Sequence, residues 1–156
     1  MSFNHNLIYY DKTGKMHTFD DRNYFRVMFL QSELARILNE NQVKLTKEEQ
    51  HAYDAFENLL IGEQANQADP DIVTAPDFNI VKKDDVVRLK NMFDSFYTPS
   101  EKGVKHFIIY IVNSNVGMWR KEDKDKLSDM VTKGMHVFLT DFLPNAVKSE
   151  SFIMYQ

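Results

Sequence analysis

Hydrophobic positions along the chain change period several times, and each change marks an element. The stretch LIYYDKTGKMHTFD, from Leu7, holds two runs rich in β-formers, 7–10 and 16–19. Asp11-Lys12-Thr13-Gly14 separates them, and Gly14 can take the positive φ of a short hairpin loop. A β-hairpin over 7–19 is predicted. An isolated hairpin is marginal in water, so this one must pack on another part of the chain.

From there the period becomes helical. Val27, Leu30, Leu34, Ile37 and Leu38 share one face, widened by Tyr24, Met28 and Ala35, which predicts a helix over about 22–40. Asp20 or Asp21 can cap it, and Asn39 or Asn41 can end it. Thr46-Lys47-Glu48-Glu49 has the form of a capping box and opens a second helix over 47–61. Its inward positions are Ala52, Ala55, Phe56, Leu59 and Leu60, and Gly62 is a natural stop. Two prolines and many Asp, Asn and Gln then predict a long loop over 63–82. Asp84 or Asp85 can cap the next helix, 84–97, with Val86, Leu89, Met92, Phe93 and Phe96 inward. A last helix over 121–143 carries Leu127, Val131, Gly134, Phe138 and Phe142 in one row, and Pro144 is read as its end. The terminal SFIMY can form a short strand that pairs with the hairpin.

The segment TPSEKGVKHFIIYIVNSNVGMW, from Thr98, supports two structures. Six consecutive apolar residues, 107–112, suit a buried strand that leads into Asn113-Ser114-Asn115. Thr98 as N-cap, Pro99 at the first helical position and Glu101 at the capping-box position suit a helix. Val104, Phe107, Ile108, Ile111, Val112 and Asn115 then fall on one face, which Met118 and Trp119 extend. Periodicity does not arbitrate a short apolar run. The cap signals favour a helix over 99–113. The predicted class is therefore mainly α (α+β by strict count). We expect a helical bundle of about five helices in a single domain, with a small N-terminal hairpin and a short C-terminal strand.

Composition removes several functions from consideration. There is no cysteine, hence no disulfide, thiolate metal site or cysteine nucleophile. A reducing cytoplasm fits that usage. No basic segment followed by a long apolar run opens the chain, so no secretory signal is expected. The longest apolar run is far short of the ~20 residues of a membrane span, and no membrane contact is expected. A net charge of −4 gives no bulk attraction to nucleic acid. The basic residues of WRKEDKDK, from Trp119, alternate with acids, as in a self-paired helix start, so direct nucleic-acid binding is not expected.

Candidate chemistry is sparse. Glu48 to His51 is one E-x-x-H, whereas a di-iron bundle needs two and further helical Glu. Asp69-Pro70-Asp71 with Asp77 lacks the glycine and spacing of a calcium loop. Ser114 is not in a G-x-S-x-G, and the five glycines form no phosphate loop. No catalytic residue, metal or cofactor is therefore assigned.

Charge distribution is more informative. Residues 1–81 carry a balance of −6 and residues 82–156 a balance of +2. From Glu48 to Val81 there is no Lys or Arg, but there are eight carboxylates: Glu48, Glu49, Asp54, Glu57, Glu63, Asp69, Asp71 and Asp77. A negative face can serve solubility alone. It can also dock a protein with a basic surface, including a nucleic-acid-binding protein that it would inhibit. A non-enzymatic interaction or regulatory protein is the expectation. The alternatives are a small hydrolase-like enzyme under the 63–82 loop, or a structural oligomer subunit. In the enzyme, His51 or His106 would be the acid–base and Asp77 or Asp54 its orienting carboxylate.

Overall fold

The computed structural model describes residues 6–20, 25–68, 80–98, 100–113 and 119–155; at 20, 25–26 and 60–68 only the backbone is described. It is mainly helical, with five long helical segments and a small four-stranded antiparallel sheet. The strands β1 (Asn6–Tyr10) and β2 (Met16–Asp20) form the N-terminal hairpin. Helices α1 (Phe25–Glu40) and α2 (Lys47–Ala68) follow. Next come β3 (Ile80–Val81), α3 (Lys83–Phe96) and α4 (Glu101–Asn113). The last helical segment is α5 (Lys124–Val137), a π-helical turn (Phe138–Phe142) and α6 (Leu143–Lys148), before β4 (Ile153–Tyr155).

The hairpin loop is organised by one side chain. Asp11 Oδ1 accepts from the Thr13 and Lys15 backbone N–H groups, at 2.9 and 3.0 Å. Gly14 takes φ +86°, where a side chain would be strained. The sheet order is β2-β1-β4-β3. β1 pairs β4 through Leu7 with Tyr155 and Ile8 with Met154, so the C-terminal strand does join the hairpin. Leu7, Tyr9, Phe19, Val81, Ile153 and Tyr155 alternate onto the core side and are buried. The π turn meets them there: the Phe138 ring lies 5.5 Å from Phe19, and Phe142 lies 5.1 Å from Tyr9.

The 98–119 question resolves as a helix. Val104, Ile108 and Ile111 are buried, and Phe107 and Val112 are half-buried. Its cap differs from the predicted one. Ser100, not Thr98, receives the Gly103 N–H on its hydroxyl at 3.1 Å. Glu101 is then the first helical residue rather than the capping-box position. Asn115 and Met118 lie outside the described residues, as do Tyr24, Asp21, Pro99 and Ser114.

Three boundaries need correction. Within the predicted 63–82 loop, residues 63–68 are helical and 80–81 are a strand, because α2 runs through Gly62 to Ala68 and β3 occupies 80–81; residues 69–79 lie outside the described residues. One helical glycine costs only about 1 kcal/mol, and Glu63 to Ala68 are mostly good helix formers with no proline before Pro70. Pro144 does not end the last helix. Having no N–H, it cannot donate to Thr140. The chain adjusts to a π turn in which the Leu143 N–H reaches the Phe138 carbonyl five residues back, and Pro144 starts α6. Lys82, not Asp84 or Asp85, is the N-cap of α3, without a side-chain cap bond.

Two helices end in the left-handed conformation without glycine. Gln42 (φ 51°) follows α1, with Val43 N–H to Leu38 O at 2.9 Å and Gln42 N–H to Asn39 O at 3.1 Å. Glu150 (φ 52°) follows α6 with the matching pair, Ser151 to Ala146 and Glu150 to Val147. Both are Schellman caps.

Candidate functional site

α2 packs against α3, and its outer face holds the described part of the acidic stretch. Thr46 and Glu49 form the predicted capping box: the Glu49 N–H donates to Thr46 Oγ1 at 3.1 Å and the Thr46 N–H to Glu49 Oε1 at 2.9 Å. Glu49 is thereby committed to the helix start. Glu48 and Asp54 are exposed and Glu57 is half-buried. Gln50 donates to Asp54 Oδ1 at 2.9 Å, one turn along the helix. Glu63 lies on the described α2 backbone, but its side chain is outside the description. Asp69, Asp71 and Asp77 are outside the described residues altogether.

The centre of this face is a contact that no motif announced. His51 Nδ1 lies 2.8 Å from Asp85 Oδ2, and Arg88 Nη1 lies 3.2 Å from Asp85 Oδ1. The Asp85 side chain is only 4% exposed, while that of His51 is 71% exposed. A carboxylate survives such burial only when its oxygens are met, and here each oxygen has a donor. The imidazole is held through Nδ1, and the His51 side chain as a whole is mostly exposed. Among the described residues the carboxylate on His51 is thus Asp85 and not the expected Asp54; Asp77 lies outside the described residues, and His106 is exposed on α4.

Two hollows flank His51. One of about 200 Å³ is lined by Asp54, Ala55, Asn58, Ile80, Lys82 and Asp85. The other, about 540 Å³, is lined by Lys47, Glu48, Gln50, Asp54 and Arg88. The gap in positive charge along the sequence is therefore partly closed in space. Lys47, Lys82 and Arg88 border the N-terminal half of the acidic face. The i, i+3 spacing of Asp85 and Arg88 was visible in the sequence, but their meeting with His51 depends on how α2 packs on α3.

Two further polar clusters lie elsewhere. His17 Nε2 is 2.8 Å from Asp11 Oδ2, and its ring stacks on Tyr9 at 4.8 Å. Hydrogen bonds from the Thr13 side chain and then from His17 hold the Asp11 carboxyl well below the usual carboxylate range. These residues border a hollow of about 650 Å³ shared with Lys12, Asp141, Asn145 and Lys148. On the other side, buried Glu33 of α1 accepts from Arg36 Nε and Nη2 at 3.2 and 2.8 Å. Its carboxylate abuts Gly103 near the start of α4.

Among the described residues, no group of three or more His, Asp or Glu converges as a metal site would require. No described helix is long and apolar enough to cross a membrane. Compared with known protein families, curated proteins and solved structures, the chain matches none.

Proposed function

We propose that this is a non-enzymatic interaction or regulatory protein that docks the outer face of α2 on a basic surface of a partner protein. The observation that supports this is the exposure of Glu48 and Asp54, with half-buried Glu57 one turn beyond, on an open face within a 34-residue stretch free of Lys and Arg. Complementary charge raises encounter rates and selects among partners. A nucleic-acid-binding channel is one basic surface of this kind, where the acidic face would compete with phosphates. We place this activity in the cytoplasm, because a chain without cysteine needs no oxidising compartment.

The test is a pull-down from native cell extract at low and high salt. It compares the wild type with a Glu48→Lys, Asp54→Lys, Glu57→Lys variant. The control reverses Glu122, Asp125 and Asp129 to Lys instead, so its net charge changes equally. Salt-sensitive partners should be lost from the α2 variant and kept by the control. Equal retention, or equal loss, overturns the proposal.

The oriented His51 supports a second reading, a general base that works through Nε2 with Asp85 as its positioning residue. It ranks lower because the ring is mostly exposed and the flanking hollows are open. Hydrolysis of simple phosphate and carboxylate esters that falls in both His51→Ala and Asp85→Asn would favour it. Absence of any hydrolysis sensitive to His51 would refute it.

A further inference from the structure

The hollow of about 650 Å³ between the hairpin and the π turn has no part in either reading above. Its hairpin wall holds Tyr9, Asp11 and His17, and the π turn and α6 bring Asp141, Phe142 and Asn145 to the other wall. Tyr9 is only 5% exposed, yet its O–H makes no hydrogen bond among the described residues. Buried tyrosine hydroxyls ordinarily find a partner. This one is not sealed off, and Tyr9 borders the hollow, so the missing partner can come from there. Burial, and then the charges of Asp141 and Asp11, push the hydroxyl above the ordinary tyrosine value, so it is a neutral phenol that can donate.

The other polar groups at the hollow mix donors with acceptors. His17 Nε2 meets Asp11 Oδ2 at 2.8 Å, which keeps the proton on Nε2 and makes Nδ1 of the neutral ring an acceptor. Asn145 Nδ2 donates to Asp141 Oδ1 at 2.7 Å, which leaves Oδ2 as an acceptor beside the amide. Charge then decides the class of ligand. Among the lining residues Asp11 and Asp141 are offset by Lys12 and Lys148, so a cation or an anion meets as much repulsion as attraction. A neutral molecule dense in hydroxyls suits this lining, because each hydroxyl both donates and accepts. The C–H face of a sugar ring can rest against Phe142. The volume falls within the range of about 300–1,000 Å³ usual for small-molecule sites. We propose that this hollow binds a neutral carbohydrate, a mono- or disaccharide, through Tyr9, His17, Asp141 and Asn145. It is independent of the α2 face and of His51.

The test is amide chemical-shift perturbation on the isotope-labelled full chain. The titrants are glucose, galactose, N-acetylglucosamine, maltose and cellobiose, with sodium phosphate and methylammonium chloride as charged probes. At least one sugar should give saturable shifts at Tyr9, His17, Thr18, Asp141 and Asn145. A millimolar Kd is expected, because the hollow is open and most of its bonds are neutral. Tyr9→Phe removes the hydroxyl and keeps the ring packing. It should weaken that sugar about three- to tenfold, the worth of one neutral hydrogen bond, with the far-ultraviolet circular dichroism unchanged. Asp141→Ala should weaken it at least as much, because the acceptor and its hold on Asn145 are both lost. Ser128→Ala and Thr132→Ala, beside a different hollow between α4 and α5, should leave it unchanged. No saturable shift from any of the sugars into the high millimolar range overturns the proposal, as does binding indifferent to Tyr9→Phe. Phosphate or methylammonium binding at these amides as tightly as the sugar would make the hollow an ion site and also overturn it.

Discussion

Gly103 sits inside α4, where helix propensity alone predicts that alanine stabilises by about 1 kcal/mol. The structure predicts the opposite sign. A Cβ on Gly103 would stand 2.6 Å from Glu33 Oε2, 2.9 Å from its Cδ and 3.0 Å from Oε1. The carboxylate is the end of a flexible side chain, but it is buried and held by two bonds from Arg36. Moving it by the needed several tenths of an ångström loosens charge-assisted bonds worth about 1.5–3 kcal/mol. Overpacking of this kind costs roughly 1–3 kcal/mol. Taking about 2 kcal/mol for the clash against about 1 kcal/mol of propensity, Gly103→Ala should destabilise by about 1 kcal/mol. In a Glu33→Ala background the clash is gone, and the same substitution should stabilise by up to about 1 kcal/mol. Urea denaturation followed at 222 nm on the four proteins of this cycle measures the coupling directly. If Gly103→Ala stabilises equally with and without Glu33, the close approach has no energetic weight and the reasoning fails.

Other contacts give further expectations. Asp85→Asn should cost about 2–3 kcal/mol in urea denaturation, because it weakens two charge-assisted bonds to a buried group; the exposure of His51 and Arg88 keeps it under the largest buried-pair values. Gln42→Gly and Glu150→Gly, each at a left-handed helix end, should raise stability by up to about 1 kcal/mol, seen as higher urea midpoints. Burial, with the Glu33 charge adding to it, pushes the Tyr97 hydroxyl up to about 12. Tyrosinate absorbance should therefore show a late-titrating tyrosine that Tyr97→Phe removes. The neutral phenol is the favoured folded form. Its contribution to stability is full below the ordinary tyrosine value near 10 and is lost as pH rises from there through about 12.

Much of the framework was legible in the sequence because it is set locally. The hairpin follows from two β-rich runs around Asp11 and Gly14, and the α2 start from a capping box that forms as predicted. The inward stripes of α1, α3 and α5 follow from spacing alone. Cap chemistry also identified α4 correctly as a helix, although Ser100 rather than Thr98 does the capping. Both hydroxyls lay within three residues of the helix start, and only the chain's path selects between them. Pro144 was misleading because a lost N–H ends a helix only when no alternative register is open; here a π turn supplies one. The candidate site was less legible. The absence of Lys and Arg from 48 to 81 is a property of the sequence, and so is Lys47 beside Glu48, but Lys82 and Arg88 come alongside only when α2 meets α3. The His51–Asp85 contact joins residues 34 positions apart, and no local preference encodes it. What the sequence determined by itself is the set of elements, the faces they bury and the unequal distribution of charge, since each depends on neighbours within a turn or two. Tertiary packing alone decided which carboxylate meets His51, what a side chain on Gly103 would meet and which face of α4 is left exposed. Those outcomes depend on distances between elements, and such distances are fixed only when the core closes.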